Sequence, residues 1–167
     1  SNSMSNSMVQ RSFKHMGWAN SQMLTIISGL PDEAINFSAW NPDWTVGKIA
    51  HHIVLSEGSL ISRITEQPVD KGPESPRTAQ DIKELISICK KRDAQLLSLI
   101  NTPDEIRKFK RNGNEVSFLT STILAQAINH ATEHRAQISD ILVANKMDVL
   151  NLDEIDLWSF ENWEKSR

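Results

Sequence analysis

Four stretches of the chain place apolar residues at intervals of three and four. In the first, Phe13, Met16, Met23, Leu24, Ile27 and Leu30 recur at that spacing, and Pro31 follows. The spacing puts these side chains on one face of a helix, and the proline marks its stop. The second begins at Thr45, a residue suited to cap a helix N-terminus, and runs through Ile49, Ile53, Leu60 and Ile64. A third opens at Thr78 and carries Ile82, Leu85, Ile86, Cys89, Leu96 and Ile100 on one side. The fourth starts between Ser117 and Thr120 and carries Ile123, Ala127, His130, His134, Ile138 and Ile141. The predicted helices are 9–30, 45–65, 78–100 and 118–144. No comparable set of alternating strands appears. The Asn-Gly pair in "FKRNGNEVSF" allows one small hairpin before the last helix. The predicted class is all-α.

The connections carry topology. "PDEAINFSAWNPDW", with two prolines and several aromatics, reads as an ordered, packed loop between the first two helices. "EQPVDKGPESPR", rich in proline and charge, separates the second from the third and reads as exposed. Fully stretched, such a segment reaches roughly 40 Å, more than the roughly 30 Å length of a twenty-residue helix. It is long enough to run the length of a bundle, so helices two and three are expected to run parallel. An antiparallel turn needs far fewer residues. After Asn145, "KMDVLNLDEIDLWSFENWEK" predicts a short terminal helix laid across the bundle. Its Trp158, Phe160 and Trp163 equally suit a dimer surface. The opening "SNSMSNSM" reads as a cloning scar, an alternative start or a disordered leader, which leaves one domain over 9–167.

Composition narrows the function classes. The 167 residues are 39% hydrophobic and 23% charged, as expected of an ordinary globular chain with a sizeable core. A net charge of -3 gives no electrostatic footprint for nucleic acid or an anionic membrane. No apolar run is long enough for a membrane span, and no signal peptide is visible. The single cysteine, Cys89, excludes an internal disulfide and fits a cytoplasmic setting. It lies at a core position, so a packed thiol is favoured over a nucleophile. The chain has no tyrosine, which removes the phenol from the catalytic acids available.

The candidate chemistry lies in "AINHATEHRAQI". His130 and His134 are four residues apart and share one helix face. They continue the apolar row instead of facing solvent, so their ring nitrogens need partners. A divalent metal supplies one, because paired histidines at this spacing are a common ligand arrangement. The competing reading is two core histidines hydrogen-bonded to buried polar groups. "WTVGKIAHHIVLSE" offers a third ligand. On a helical wheel His52 flanks the face marked by Ile49, Ile53 and Leu60, while His51 points nearly opposite, to the surface. His15 lies between core-like positions with no histidine neighbour, so packing explains it. The HExxH pattern, the Glu-x-x-His pair of di-iron bundles and a cysteine cluster are all missing.

Taken together these fragments resemble the DinB family, also described as YfiT-like metal-dependent proteins. "WANSQMLTIISGLPDEAIN" is similar to the family's first helix, and "WTVGKIAHHIVLSEGSLISRI" resembles the second, in which one histidine is followed five residues later by glutamate. That match selects His52 and Glu57. "NHATEHRAQISDIL" resembles the family's histidine, three residues, histidine-arginine signature, at His130, His134 and Arg135, and "LDEIDLWSF" resembles its closing segment. Two features depart from the pattern: "ANKMDVLN" replaces the usual glycine and prolines after the fourth helix, and Glu133 stands where the family often has a histidine. The resemblance implies an up-down-down-up four-helix bundle, frequently a homodimer, with one divalent metal (zinc, nickel or similar) on three histidines. It implies no single reaction: family members include thiol S-transferases and isomerases that use low-molecular-weight thiols.

Three protein nitrogens with an open position is the catalytic style of site. The open position suits water, for hydrolysis, or a small-molecule thiol held as thiolate. The resemblance favours the thiol. Glu57, one turn plus one residue from His52, is placed to orient a ligand or move a proton, with a solvated or salt-bridged carboxylate as the bland alternative. Arg135 reads as a surface ion pair, and Trp18 and Asn20 as pocket lining or helix packing. The rival to an enzyme is a non-catalytic bundle that binds metal or a partner.

Overall fold

The computed structural model describes residues 4–167, so the first part of the leader lies outside it. Four long helices carry the fold: α1 (Met4–Ser28), α3 (Val46–Thr65), α4 (Ala79–Ser98) and α5 (Thr120–Ala144). A single-turn helix, α2 (Asp32–Ile35), lies in the loop after α1, and its Ala34 and Ile35 are buried, so that loop is ordered and packed. Strands β1 (Ile106–Arg111) and β2 (Asn114–Leu119) form one antiparallel hairpin. A 3-10 turn (Leu152–Ile155) and α6 (Leu157–Lys165) close the chain. The molecule is thus mostly helical with a small two-stranded sheet, where the sequence predicted helices and allowed a hairpin. α1 starts at Met4, ahead of the predicted residue 9, and takes in the second half of the leader repeat.

Local chemistry sets the boundaries. The Thr45 hydroxyl accepts from the Lys48 N–H at 3.2 Å and starts α3. Thr78 and Asp81 form a reciprocal capping box at the start of α4. In the hairpin Asn112 and Gly113 both take positive φ, 52° and 80°, as a two-residue turn between twisted strands requires. Buried Met16, Met23, Leu24 and Ile27 of α1, Ile49 and Ile53 of α3, Ile82, Leu85 and Leu96 of α4, and Ile138 and Ile141 of α5 form one core.

The contacts fix chain direction. Pro76, just before α4, lies against Gly47 at the start of α3, and Cys89 lies 3.6 Å from Glu57 further along. The two helices therefore run in the same direction. The linker returns alongside α3: Gly72 meets Leu55, and the Pro73 carbonyl lies 2.6 Å from His51 Nε2. Its second half is packed, not free in solvent as predicted. α1 opposes α4, since Asp32 beyond its end accepts from the Ala79 N–H at 2.9 Å while Gly17 meets Asp93. α3 opposes α5, because Trp44 meets Gln137 and His52 meets His130.

Candidate metal centre

The facing stretches of α3 and α5 bring three imidazoles together. His52 comes from the second turn of α3, and His130 and His134 from successive turns of α5. His130 Nε2 lies 2.9 Å from His52 Nε2 and 3.1 Å from His134 Nε2. All three rings are half-buried. Four-coordinate zinc with nitrogen ligands at about 2.0–2.1 Å sets those nitrogens roughly 3.3 Å apart. The observed spacing is a little tighter and of the same kind.

A hydrogen bond outside the trio sets the state of one ring. His134 Nδ1 lies 2.6 Å from Gln137 Oε1, which also accepts from Trp44 Nε1 at 3.2 Å. The indole N–H can only donate, so the oxygen of Gln137 faces both groups and His134 carries its proton on Nδ1. Its Nε2 lone pair then points at the other two rings. Trp44 also packs edge-on against His52 and His134, with centroids 5.5 and 5.7 Å away. Burial, followed by the neighbouring His134 and His52, lowers the pKa of His130 to about 4. His52 is lowered by burial and then by His134. Three Nε2 atoms gathered at one point, two on rings whose charged form burial disfavours and one on a ring held by Gln137, are a donor set that fits a divalent metal ion.

The other candidates sit elsewhere. His51 is not on open surface: it is half-buried under the linker, bonded to Pro73 O and outside the trio. His15 lies 2.8 Å from Ile155 O and packs beneath the tail. Glu57 is neither solvated nor grouped with the rings. It is 2% exposed, and its carboxylate gathers with Cys89 and Asp93 in a second buried cluster. There Cys89 Sγ is 3.3 Å from Asp93 Oδ2, and Glu57 Oε2 and Asp93 Oδ1 have no partner among the described residues. Burial and the adjoining Asp93 push the Glu57 carboxyl well above the usual carboxylate range, and burial pushes the Cys89 thiol up too. That thiol is buried in the core, as its position in the row predicted.

Arg135 corrects the surface expectation. It is 5% exposed, donates to Asn20 Oδ1 at 2.7 Å, and burial brings its pKa down to about 10. Asn20 in turn donates to Asp93 Oδ2 at 3.3 Å, so it joins core charges and lines no pocket by the histidines. Trp18 packs on Phe160 and Trp163 of α6, 5.5 and 5.9 Å between centroids. Sequence reading missed Trp44, Gln137, Arg92 and Asp93. Two of them had a signal: Gln137 stands three residues from His134, and Asp93 continues the buried row four residues after Cys89.

A cavity of about 400 Å3 opens beside the rings, lined by His52 and His130 and by Arg63, Phe109, Arg111 and Phe118 among others. Its size is that of a small-molecule site. Helices facing one another across three inward histidines, beside such a cavity, give a mostly helical protein with a histidine cluster that could hold a metal ion. The DinB family model matches residues 4–143, and the chain belongs to the DinB family. The crystal structure of a DinB-like protein from Bacillus cereus is similar in fold, with a TM-score of 0.62 and 20% identity over 86% of this chain and 94% of that one. No curated protein matches the chain. Among the described residues, no helix is long and apolar enough to cross a membrane.

Proposed function

We propose that His52, His130 and His134 hold one divalent metal ion, zinc, nickel or similar, and that the protein is a metal-dependent enzyme acting on a small molecule. The observation that carries this reading is the convergence of three Nε2 atoms, with Gln137 holding the His134 lone pair inward. When bound, the ion supplies Lewis acidity to a substrate thiol or a water. Burial disfavours the charged forms of the His52 and His130 rings, Gln137 fixes the tautomer of His134, and the Trp44 ring walls the position. The S-transferase reading, in which a low-molecular-weight thiol is activated, is preferred to hydrolysis. It rests on the family likeness and on Cys89, which is too deeply buried to be the nucleophile. Glu57 carries no step in this reading, since its carboxyl faces Cys89 and Asp93.

The four long helices are read as an up-down-down-up bundle, supported by the shared direction of α3 and α4 and the long linker between them. A cytoplasmic homodimer completes the proposal, supported by the single free thiol and by Trp158, which is 81% exposed on α6. The test is a panel of electrophiles, such as quinones and epoxides, with low-molecular-weight thiols and the metal-loaded protein. Turnover lost in His134→Ala supports the enzyme. Stoichiometric metal with no turnover on thiol or hydrolytic substrates favours a non-catalytic metal-binding bundle.

A further inference from the structure

The cavity beside the histidines has a charge asymmetry that the metal centre does not explain. Arg63 of α3 and Arg111 at the tip of β1 both line it, while no aspartate or glutamate does. The chain as a whole carries a net charge of -3, so an all-cationic cavity runs against its average. Neither arginine takes part in an ion pair among the described residues. Arg63 stacks over the Phe109 ring with its guanidinium carbon 4.4 Å from the centroid, which holds the side chain against the hairpin. Burial and then the Arg111 charge lower the pKa of Arg63, and both side chains line the same cavity. Two like charges kept together without a counter-charge favour an anion between them. Along α3, Arg63 lies eleven residues beyond His52, or about 16 Å of helix axis. The rings of Phe109 and Phe118 line the same cavity as both groups.

We propose that Arg63 and Arg111 form an anion subsite for the substrate, recognising a carboxylate or phosphate carried on an apolar body whose reactive end reaches the three histidines. The subsite itself stands on the arginines and the cavity; only the identity of the reactive end rests on the metal-and-thiol reading above. Recognition is by charge-assisted hydrogen bonds from the guanidinium forks, with the two phenylalanines packing the apolar portion.

The test uses metal-free protein and phenylphosphate, with benzyl alcohol as the neutral counterpart, read by calorimetry. Wild type should bind phenylphosphate and not benzyl alcohol. Arg63→Ala and Arg111→Ala should each weaken phenylphosphate about tenfold or more, and Arg63→Lys should weaken it less. No binding by a folded wild type, or equal binding by wild type and both alanine variants, overturns the subsite. A second arm uses cobalt-loaded protein and thiolate-to-metal absorption, comparing ω-mercaptocarboxylates with ω-mercaptoalcohols of equal chain length. The carboxylates should bind more tightly, and only their binding should fall in Arg63→Ala. Absent thiolate absorption with phenylphosphate binding intact sinks the thiol reading and supports the subsite. Equal affinities for acid and alcohol, unchanged in Arg63→Ala, count against the subsite alone.

Discussion

Gln137 decides what His134 can do. With the amide oxygen on Nδ1 at 2.6 Å, the ring presents a lone pair at Nε2; without it, the tautomers interchange and the ring can turn. Gln137→Leu is therefore expected to weaken divalent metal binding roughly 10- to 100-fold while the helical circular dichroism stays unchanged. Competition with a chromophoric chelator measures it, and an affinity equal to wild type would show the bond to be incidental. His51→Ala is the paired control and should leave metal affinity alone, since that ring is engaged with Pro73. Glu57 gives a prediction in pH. Its carboxyl keeps its proton to a higher pH in the folded state than its ordinary value of 4.5, so above that value the folded chain binds more protons than the unfolded one. Stability from this group is therefore lost as pH rises through that window. Glu57→Gln keeps the shape without the titration, so urea unfolding at about pH 5 and about pH 8 should show a smaller loss in the variant than in wild type. Equal losses would mean that Glu57 titrates normally.

At the scale of elements, α3 and α4 are joined by a buried arginine as well as by apolar packing. Arg92 donates to Val54 O at 2.6 Å, and it fits because position 58 has no side chain: a Cβ there would lie 2.7 Å from the guanidinium carbon. Gly58→Ala should displace Arg92 from that carbonyl and cost about 1–3 kcal/mol, despite the better helix propensity of alanine. Chemical denaturation checks it, and a variant as stable as wild type would show that Arg92 finds another seat at no cost. The elements themselves were largely legible in the sequence. Periodicity placed the four long helices, Thr45 and Thr78 placed two of the starts, and Asn112-Gly113 placed the hairpin turn. Arg135, His51 and Glu57 were not legible in the same way. A wheel assigns a residue to a face of its own helix, and it does not show that Asn20 waits for Arg135 across the core or that the linker folds back over His51. His130 and His134 stood out because they continue an apolar row at helical spacing, and His52 because it flanks the core face of α3 and matches the family's lone histidine. Gln137 and Trp44 were missed because an amide and an indole look like ordinary surface and packing residues until their partners are known.

For the whole molecule, the proposed metal centre would tie α3 to α5, so occupancy should be felt as stability. A ligand at a hundred times its dissociation constant adds about 2.7 kcal/mol, which for a domain of this size is roughly 5–10 °C in melting temperature. Metal-stripped protein should melt lower by that order and recover when zinc is restored, whereas His134→Ala should not respond. The proposed dimer is checked by light scattering at micromolar concentration: Trp158→Ser on α6 should shift it toward a species near the chain mass of 18.9 kDa, and a wild type already at that mass counts against the dimer. The central claim, that His52, His130 and His134 hold one ion, is tested most directly by elemental analysis of untagged protein alongside its single-alanine variants. About one equivalent of divalent metal is expected in wild type and His51→Ala, with little or none in His52→Ala, His130→Ala and His134→Ala. Metal-free wild type that stays empty after incubation with zinc or nickel, or a His134→Ala protein that keeps a full equivalent, would contradict it.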